Sequence, residues 1–168
     1  MMIPEGVKEI GAEAFAYCTN LRRLALPSSL YRVRLNMITL DETLSFIEIP
    51  ENAVLLDGFR IYYPWEIPDQ ARPFPADTVI LPSGLLANLC HALRIYPNTE
   101  ELVEPAQVKT IFYGGDPLQL ENEISALNAT WRNLLDFWET TFYCYSETEP
   151  EEEGLFWHYE NGQAQPWE

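Results

Sequence analysis

Two histidines and three cysteines are the side chains best suited to nucleophilic, acid–base or soft-metal chemistry, and their spacing argues against each use. His91 and His158 belong to no HExxH or CxxC pattern that would gather ligands around zinc. Cys90 and His91 are sequence neighbours, and neighbouring side chains on a helix do not face each other, so a thiolate–imidazole pair could arise only across the fold. Cys18, Cys90 and Cys144 are too few and too scattered for a disulfide-stabilised small domain. Three unpaired thiols in apolar or edge positions are expected, with one disulfide plus one free thiol as the alternative.

Carboxylates are abundant but not arranged for work. Glu147, Glu149, Glu151, Glu152 and Glu153 could surround a hard cation, yet the run lacks the ligand order and turn glycine of a calcium loop and reads as a solvated acidic loop. Hydrolysis by paired carboxylates needs two acids at a defined separation across a substrate, which nothing in the spacing fixes. Gly114-Gly115 is too short a glycine signal for phosphate binding. Asn128-Ala129-Thr130 matches the formal glycosylation pattern but falls inside a predicted helix. No catalytic residue, metal or cofactor is expected; a hydrolase using an acidic groove is the remote alternative.

The elements that hold these residues follow from composition and periodicity. Ten Lys and Arg against 26 Asp and Glu give a net charge of −16, which repels nucleic acid and anionic lipid. Arg22, Arg23, Arg32 and Arg34 form only a loose basic group. No 18-residue stretch is apolar enough to insert into a membrane, and MMIPEGVKEIG shows no recognisable secretory signal. The 168 residues, 47% of them hydrophobic, suffice for one cored domain.

Ile3-Pro4, Leu26-Pro27 and Ile49-Pro50 recur at intervals of 23 residues, and the same shift carries Ile10 to Val33 and Leu56, Phe15 to Ile38 and Ile61, and Leu24 to Ile47. Each LRRLALP or LSFIEIP segment alternates apolar and outward positions and stops at proline, as a short parallel strand does. GAEAFAYC forms the return path, with Ala12, Ala14 and Phe15 expected to fill the interior. The proline-rich aromatic stretch from Tyr62 to Asp77 reads as an insertion, followed by a strand at TVILP, a helix over SGLLANLCHAL and a strand from Val108 to Tyr113. Asp116, Pro117 and Gln119 make a capping box that starts one helix with Leu120, Ile124, Leu127, Trp131, Leu134 and Trp138 on a stripe. TTFYCYSE reads as a strand, and FWHYENGQAQPW as a hairpin turning at Asn161-Gly162 and covering the last strand edge.

IPEGVKEIGAEAFAYCTNLRRLALPSSL, residues 3–30, resembles the repeat unit of the BspA-like leucine-rich repeat family (leucine-rich repeat type 5). The second unit keeps the apolar frame but has Asp41 in place of the cysteine matching Cys18. VKTIFYGGDPLQLE and FYCYSETEPEEEGLFWHYENGQAQPW resemble that family's carboxyl-terminal unit. The expected architecture is therefore an α/β solenoid of short parallel-strand repeats forming a single domain over 1–168. It comprises regular repeats over 3–56, irregular or inserted repeats over 57–107, and a terminal repeat with a hairpin cap over 108–168. The resemblance implies a non-catalytic cell-surface or secreted protein, chiefly bacterial, that recognises a protein or alternatively a glycan in adhesion. A structural terminal segment of a larger surface repeat protein is the other reading.

If Leu21, Leu24 and Leu26 point inward, Arg23 and Ala25 face the other way, joined by Phe46 and Glu48 in the next unit, as a small ladder for recognition. Tyr62, Tyr63 and Trp65, with Phe74, form a second candidate group whose flat rings suit a peptide or glycan. The first coil's apolar edge is expected to pair with upstream repeats or with another subunit.

Overall fold

Alternation through RLA and FIE and the aliphatic run TVIL produce three short strands whose central residues are buried, as a pleated backbone requires. A computed structural model describes residues 1–38, 43–51, 53–56, 76–92, 108–137 and 139–167. In chain order its elements are β1 (Arg23–Ala25), β2 (Arg32–Arg34), a 3₁₀ turn (Leu35–Ile38), β3 (Phe46–Glu48), β4 (Val54–Leu56), β5 (Thr78–Leu81) and α1 (Leu86–Ala92). They continue with β6 (Thr110–Tyr113), α2 (Pro117–Ala126), α3 (Ala129–Phe137), β7 (Thr141–Tyr145), β8 (Phe156–Glu160) and β9 (Gln163–Pro166).

Seven strands form one curled sheet in the order β1-β3-β5-β6-β7-β8-β9, shaped as a half-barrel, while β2 and β4 pair separately. Every pairing is parallel except that of β8 with β9. The 23-residue step is kept in the main ladder, where Ala25 faces Glu48. Met2 adds a single parallel bridge to Ala25, which places residues 2, 25 and 48 side by side. Adjacent segments are also joined through their turns. The Glu5 carboxylate accepts bonds from the Ser28 and Ser29 backbone N–H groups and the Ser28 hydroxyl at 3.0–3.2 Å, and these donors hold its pKa below the usual carboxylate value.

One face of the sheet builds the main core. Leu24, Ile47, Val79 and Ile111 occupy one cross-strand row and are each 0% exposed. Leu26, Ile49, Leu81, Tyr113, Cys144 and Phe156 join the same core. Burying one such aliphatic side chain contributes about 1.5–3 kcal/mol, so this repeated row is a main source of stability. Leu86, Leu89 and Cys90 on α1, and Leu127, Trp131 and Leu135 from the α2–α3 region, cover it.

Several expectations are corrected. In the small sheet Val33 faces Leu55, not Leu56. Both strands follow equivalent turns, in which Leu30 N–H bonds Pro27 O and Ala53 N–H bonds Pro50 O, so Tyr31 is one extra residue that shifts the register. Ala12 and Ala14 are exposed, while Phe15 packs against the core and its N–H bonds Met37 O at 2.9 Å. This segment lies at the β1 edge of the sheet and has a described neighbour on one side.

The capping box is present: Gln119 N–H donates to Asp116 Oδ1 at 2.8 Å and Asp116 N–H to Gln119 Oε1 at 3.0 Å. The helix it starts is not continuous. Leu127 is extended, and Asn128 Oδ1 accepts the Trp131 N–H at 3.1 Å, capping a second helix. Trp131 and Leu135, four apart, are buried on α3, while the Leu134 side chain and Trp138 lie outside the described residues. The glycosylation-like triplet accordingly lies at a helix junction rather than within a helix. Glu123 of α2 also receives the backbone N–H groups of Gly84 and Leu86 and the Tyr113 hydroxyl, which ties α2 to the start of α1.

The carboxyl-terminal hairpin turns as expected, with Asn161 at φ 52° and Gly162 at φ 75°, the left-handed pair that matches strand twist. Gly115 is required sterically, since a β-carbon there would lie 2.6 Å from the Tyr113 ring. No helix among the described residues is long and apolar enough to cross a membrane.

Candidate recognition face

The second face of the main sheet carries two cross-strand rows. Arg23, Phe46, Thr78, Thr110 and Thr141 form one, and Ala25, Glu48, Ile80, Phe112 and Tyr143 the other. The alternation expected of Arg23, Ala25, Phe46 and Glu48 therefore holds, and all four are half-buried. Tyr62, Tyr63, Trp65 and Phe74 lie outside the described residues.

The interior of this face is dry. Ile80, Phe112, Trp157 and Ala164 are buried together, with Phe46 and Tyr143 packed against them. Trp157 makes tilted or edge-on ring contacts at 5.0–5.4 Å with Phe112, Tyr145 and Tyr159. Its Nε1–H donates to the Tyr113 carbonyl at 2.8 Å, so the buried indole is satisfied. Trp157, expected in the cap, thus also fills the concavity of the sheet.

A polar chain crosses the opening of that concavity. The Tyr159 hydroxyl donates to Glu48 Oε1 at 2.8 Å. Glu48 Oε2 lies 3.9 Å from Arg23 Nη2, and the Arg23 guanidinium sits 3.7 Å from the centre of the Phe46 ring. β8 is four places from β3 in the sheet. Four steps of about 4.8 Å make roughly 19 Å along a flat sheet, farther than these two side chains reach, so the bond depends on the curl. Burial, followed by the Glu48 charge, pushes the Tyr159 hydroxyl above its ordinary pKa and keeps it a donor. The exchange is modest in energy because Arg23 and Glu48 remain partly solvated, so the ion pair contributes about 0–1 kcal/mol.

The sequence places Tyr143 and Tyr145 on a strand and Tyr159 in the covering hairpin, and none of the three among the candidate recognition residues. Their parity within FYCYSE and FWHYE was a signal that they share a face with Phe46, but only the curl brings the two ends of the sheet together.

Other chemistry finds little support in the geometry. All three cysteines are free thiols. Burial raises the Cys90 thiol to about 12 and the Cys144 thiol to about 11, the latter with a smaller push from Asp116, so neither supplies thiolate near neutrality. Among the described residues no group of three or more His, Cys, Asp and Glu side chains could hold a metal. His158 stacks on Trp167 at 3.8 Å, and its Nδ1 has no hydrogen-bond partner. A 360 Å³ cleft lined by Ile124, Arg132, Leu135, Asp136, Glu139, Thr140 and Phe142 combines an apolar floor with exposed charges.

No family model, curated protein or solved structure matches this chain. The functional reading therefore rests on its own residues.

Proposed function

We propose that this chain is a non-catalytic recognition module, built as a leucine-rich repeat solenoid of the BspA-like kind, that binds a protein through the second face of its sheet. The observation that carries the reading is the rim of Arg23, Phe46, Glu48 and Tyr159, where rings and charges bridge the concavity and remain partly open to solvent. Aromatic and arginine side chains held in place by neighbours are the types that dominate protein interfaces. The 23-residue step through Met2, Ala25 and Glu48 and the resemblance of residues 3–30 support the repeat architecture. That resemblance also supports a cell-surface or secreted setting and a role in adhesion.

Panning a random-peptide display library over the immobilised full chain tests the reading. Selected peptides should bind wild type and lose at least tenfold in affinity against Phe46→Ala and Arg23→Ala, with folding of both variants checked by circular dichroism. Equal binding to wild type and variants would place recognition elsewhere.

A second reading, a structural end segment of a longer repeat protein, is favoured by the β1 edge. There Met2 is 84% exposed and only one bridge pairs it to the sheet. Such an edge suits stacking by another repeat or another subunit. Molecular mass by light scattering should then rise with concentration for wild type and not for Met2→Lys.

A further inference from the structure

We propose that Tyr145 and Tyr159, flanked by the β7–β8 loop, form a docking site for a basic polypeptide segment, with Lys or Arg side chains laid over the rings and their charges among the loop glutamates. This rests on the recognition reading and names the partner class of the same sheet face.

The rings come first. Tyr145 is 37% and Tyr159 43% exposed, although both pack against the buried Trp157 and lie 6.4 Å from each other. Two aromatic side chains are thus held rigidly by a third while part of each stays in water. Rigid, partly exposed rings bind at low entropic cost because little side-chain freedom remains to be lost.

The charge of the occupant follows from the surroundings. The β7–β8 connection leaves the sheet immediately after Tyr145 and returns at Phe156, and Glu147, Glu149, Glu151, Glu152 and Glu153 along it are all exposed. Its first residue follows Tyr145 directly and is held at both backbone groups: Ser146 N–H donates to Trp157 O at 3.0 Å, and Trp167 Nε1–H to Ser146 O at 3.1 Å. The cation that the described residues place on this face, Arg23, is already engaged by Phe46 and Glu48. An acidic partner would meet a net charge of −16 with no uncommitted cation on the described part of the face to receive it.

The molecule also contains an internal example of the proposed chemistry. Arg23 lies over an aromatic ring 3.7 Å away and beside a carboxylate at 3.9 Å. A basic partner would repeat that arrangement at Tyr145 and Tyr159. Each exposed cation–π contact adds a modest attraction, and the loop charges speed encounter at low salt. A neutral sugar could stack on the same rings, but the Tyr159 hydroxyl is already donated to Glu48, which leaves fewer polar groups to fix a glycan.

Fluorescence anisotropy on the full chain tests this with labelled peptides alternating lysine with glycine or glutamate with glycine, and with a labelled neutral oligosaccharide. The expected result is binding of the lysine peptide alone, weakening as salt rises. Affinity should fall about threefold to tenfold in Tyr145→Leu, which keeps apolar area but removes the ring, and by a similar factor in the triple variant Glu151→Gln, Glu152→Gln, Glu153→Gln. Melting temperatures of both variants establish that they are folded.

Lysine-peptide binding that is unchanged in Tyr145→Leu would overturn the proposal, leaving only non-specific attraction to an acidic protein. Oligosaccharide binding that depends on Tyr145 would overturn it in favour of a glycan. Absence of lysine-peptide binding, while library-selected peptides still depend on Phe46, would overturn this partner class and leave the broader recognition reading standing.

Discussion

The two faces of the seven-stranded sheet are made by the same strands but assembled by different rules. On the core face Leu24, Ile47, Val79 and Ile111 repeat one solution, an aliphatic side chain buried against the next strand and the segments covering it. On the other face no row is uniform, and burial depends on Trp157 and Ala164 folding in from the far end. The Tyr159–Glu48 bond joins residues 111 apart. A repeated local pattern thus specifies one face, and a single long-range closure specifies the other.

The most demanding test of that comparison sets Trp157→Ala against Ile47→Ala. If both faces are genuine cores, urea denaturation should show losses of about 3–5 kcal/mol for the tryptophan and about 2–5 kcal/mol for the isoleucine. A Trp157→Ala loss below about 0.5 kcal/mol, typical of a surface change, would remove the second core.

The thiols sharpen the same contrast, because Cys90 and Cys144 belong to the core face. Burial raises them from the ordinary value of 9 to about 12 and about 11. In the folded state they keep protons that the unfolded chain releases. Their stabilising contribution is therefore complete below pH of about 9 and is lost as pH rises towards 11 and 12. The urea midpoint should fall over that window in wild type and fall less in Cys90→Ala, compared with its own neutral-pH value. Under native conditions iodoacetamide should modify the half-buried Cys18 well before the buried Cys144.

What the sequence discloses follows the same division. The 23-residue step placed Arg23 opposite Phe46 and Ala25 opposite Glu48, because strand alternation and proline stops are local properties. Asn161-Gly162 disclosed its turn for the same reason. The slip from Leu56 to Leu55 depends on one inserted residue, Tyr31, that leaves apolar periodicity almost unchanged. The helix break was hidden because Asn128 is tolerated within a helix and reveals itself as a cap only through its bond to Trp131. Tyr159 could not be assigned to the recognition rim without the curl of the sheet, which is a sum of twists over five strands.

Asp116→Ala probes a local feature that was legible, the start of the helices covering the core face. Loss of its bond to the Gln119 N–H should cost about 1 kcal/mol, with Asp116→Asn recovering most of it. A cost near zero would mean that Pro117 and packing alone set that helix start.

The smallest effect tests the closure itself. Tyr159→Phe removes only the hydroxyl that reaches Glu48, while the ring keeps its contact with Trp157. Because Glu48 is partly solvated and retains Arg23 nearby, the expected loss is about 0.5–1 kcal/mol, below that of a fully buried charged bond. A double-mutant cycle with Glu48→Ala, which removes the acceptor, separates this bond from general effects of either change. A coupling of about 0.5 kcal/mol would mean that the two ends of the sheet meet in solution, so that Arg23, Phe46 and Tyr159 act as one surface. Zero coupling would mean that the concavity stands open, and peptides selected on the chain should then depend on Phe112 rather than on the rim. The weakest bond of the second face thus decides whether a partner meets a closed rim or an open groove.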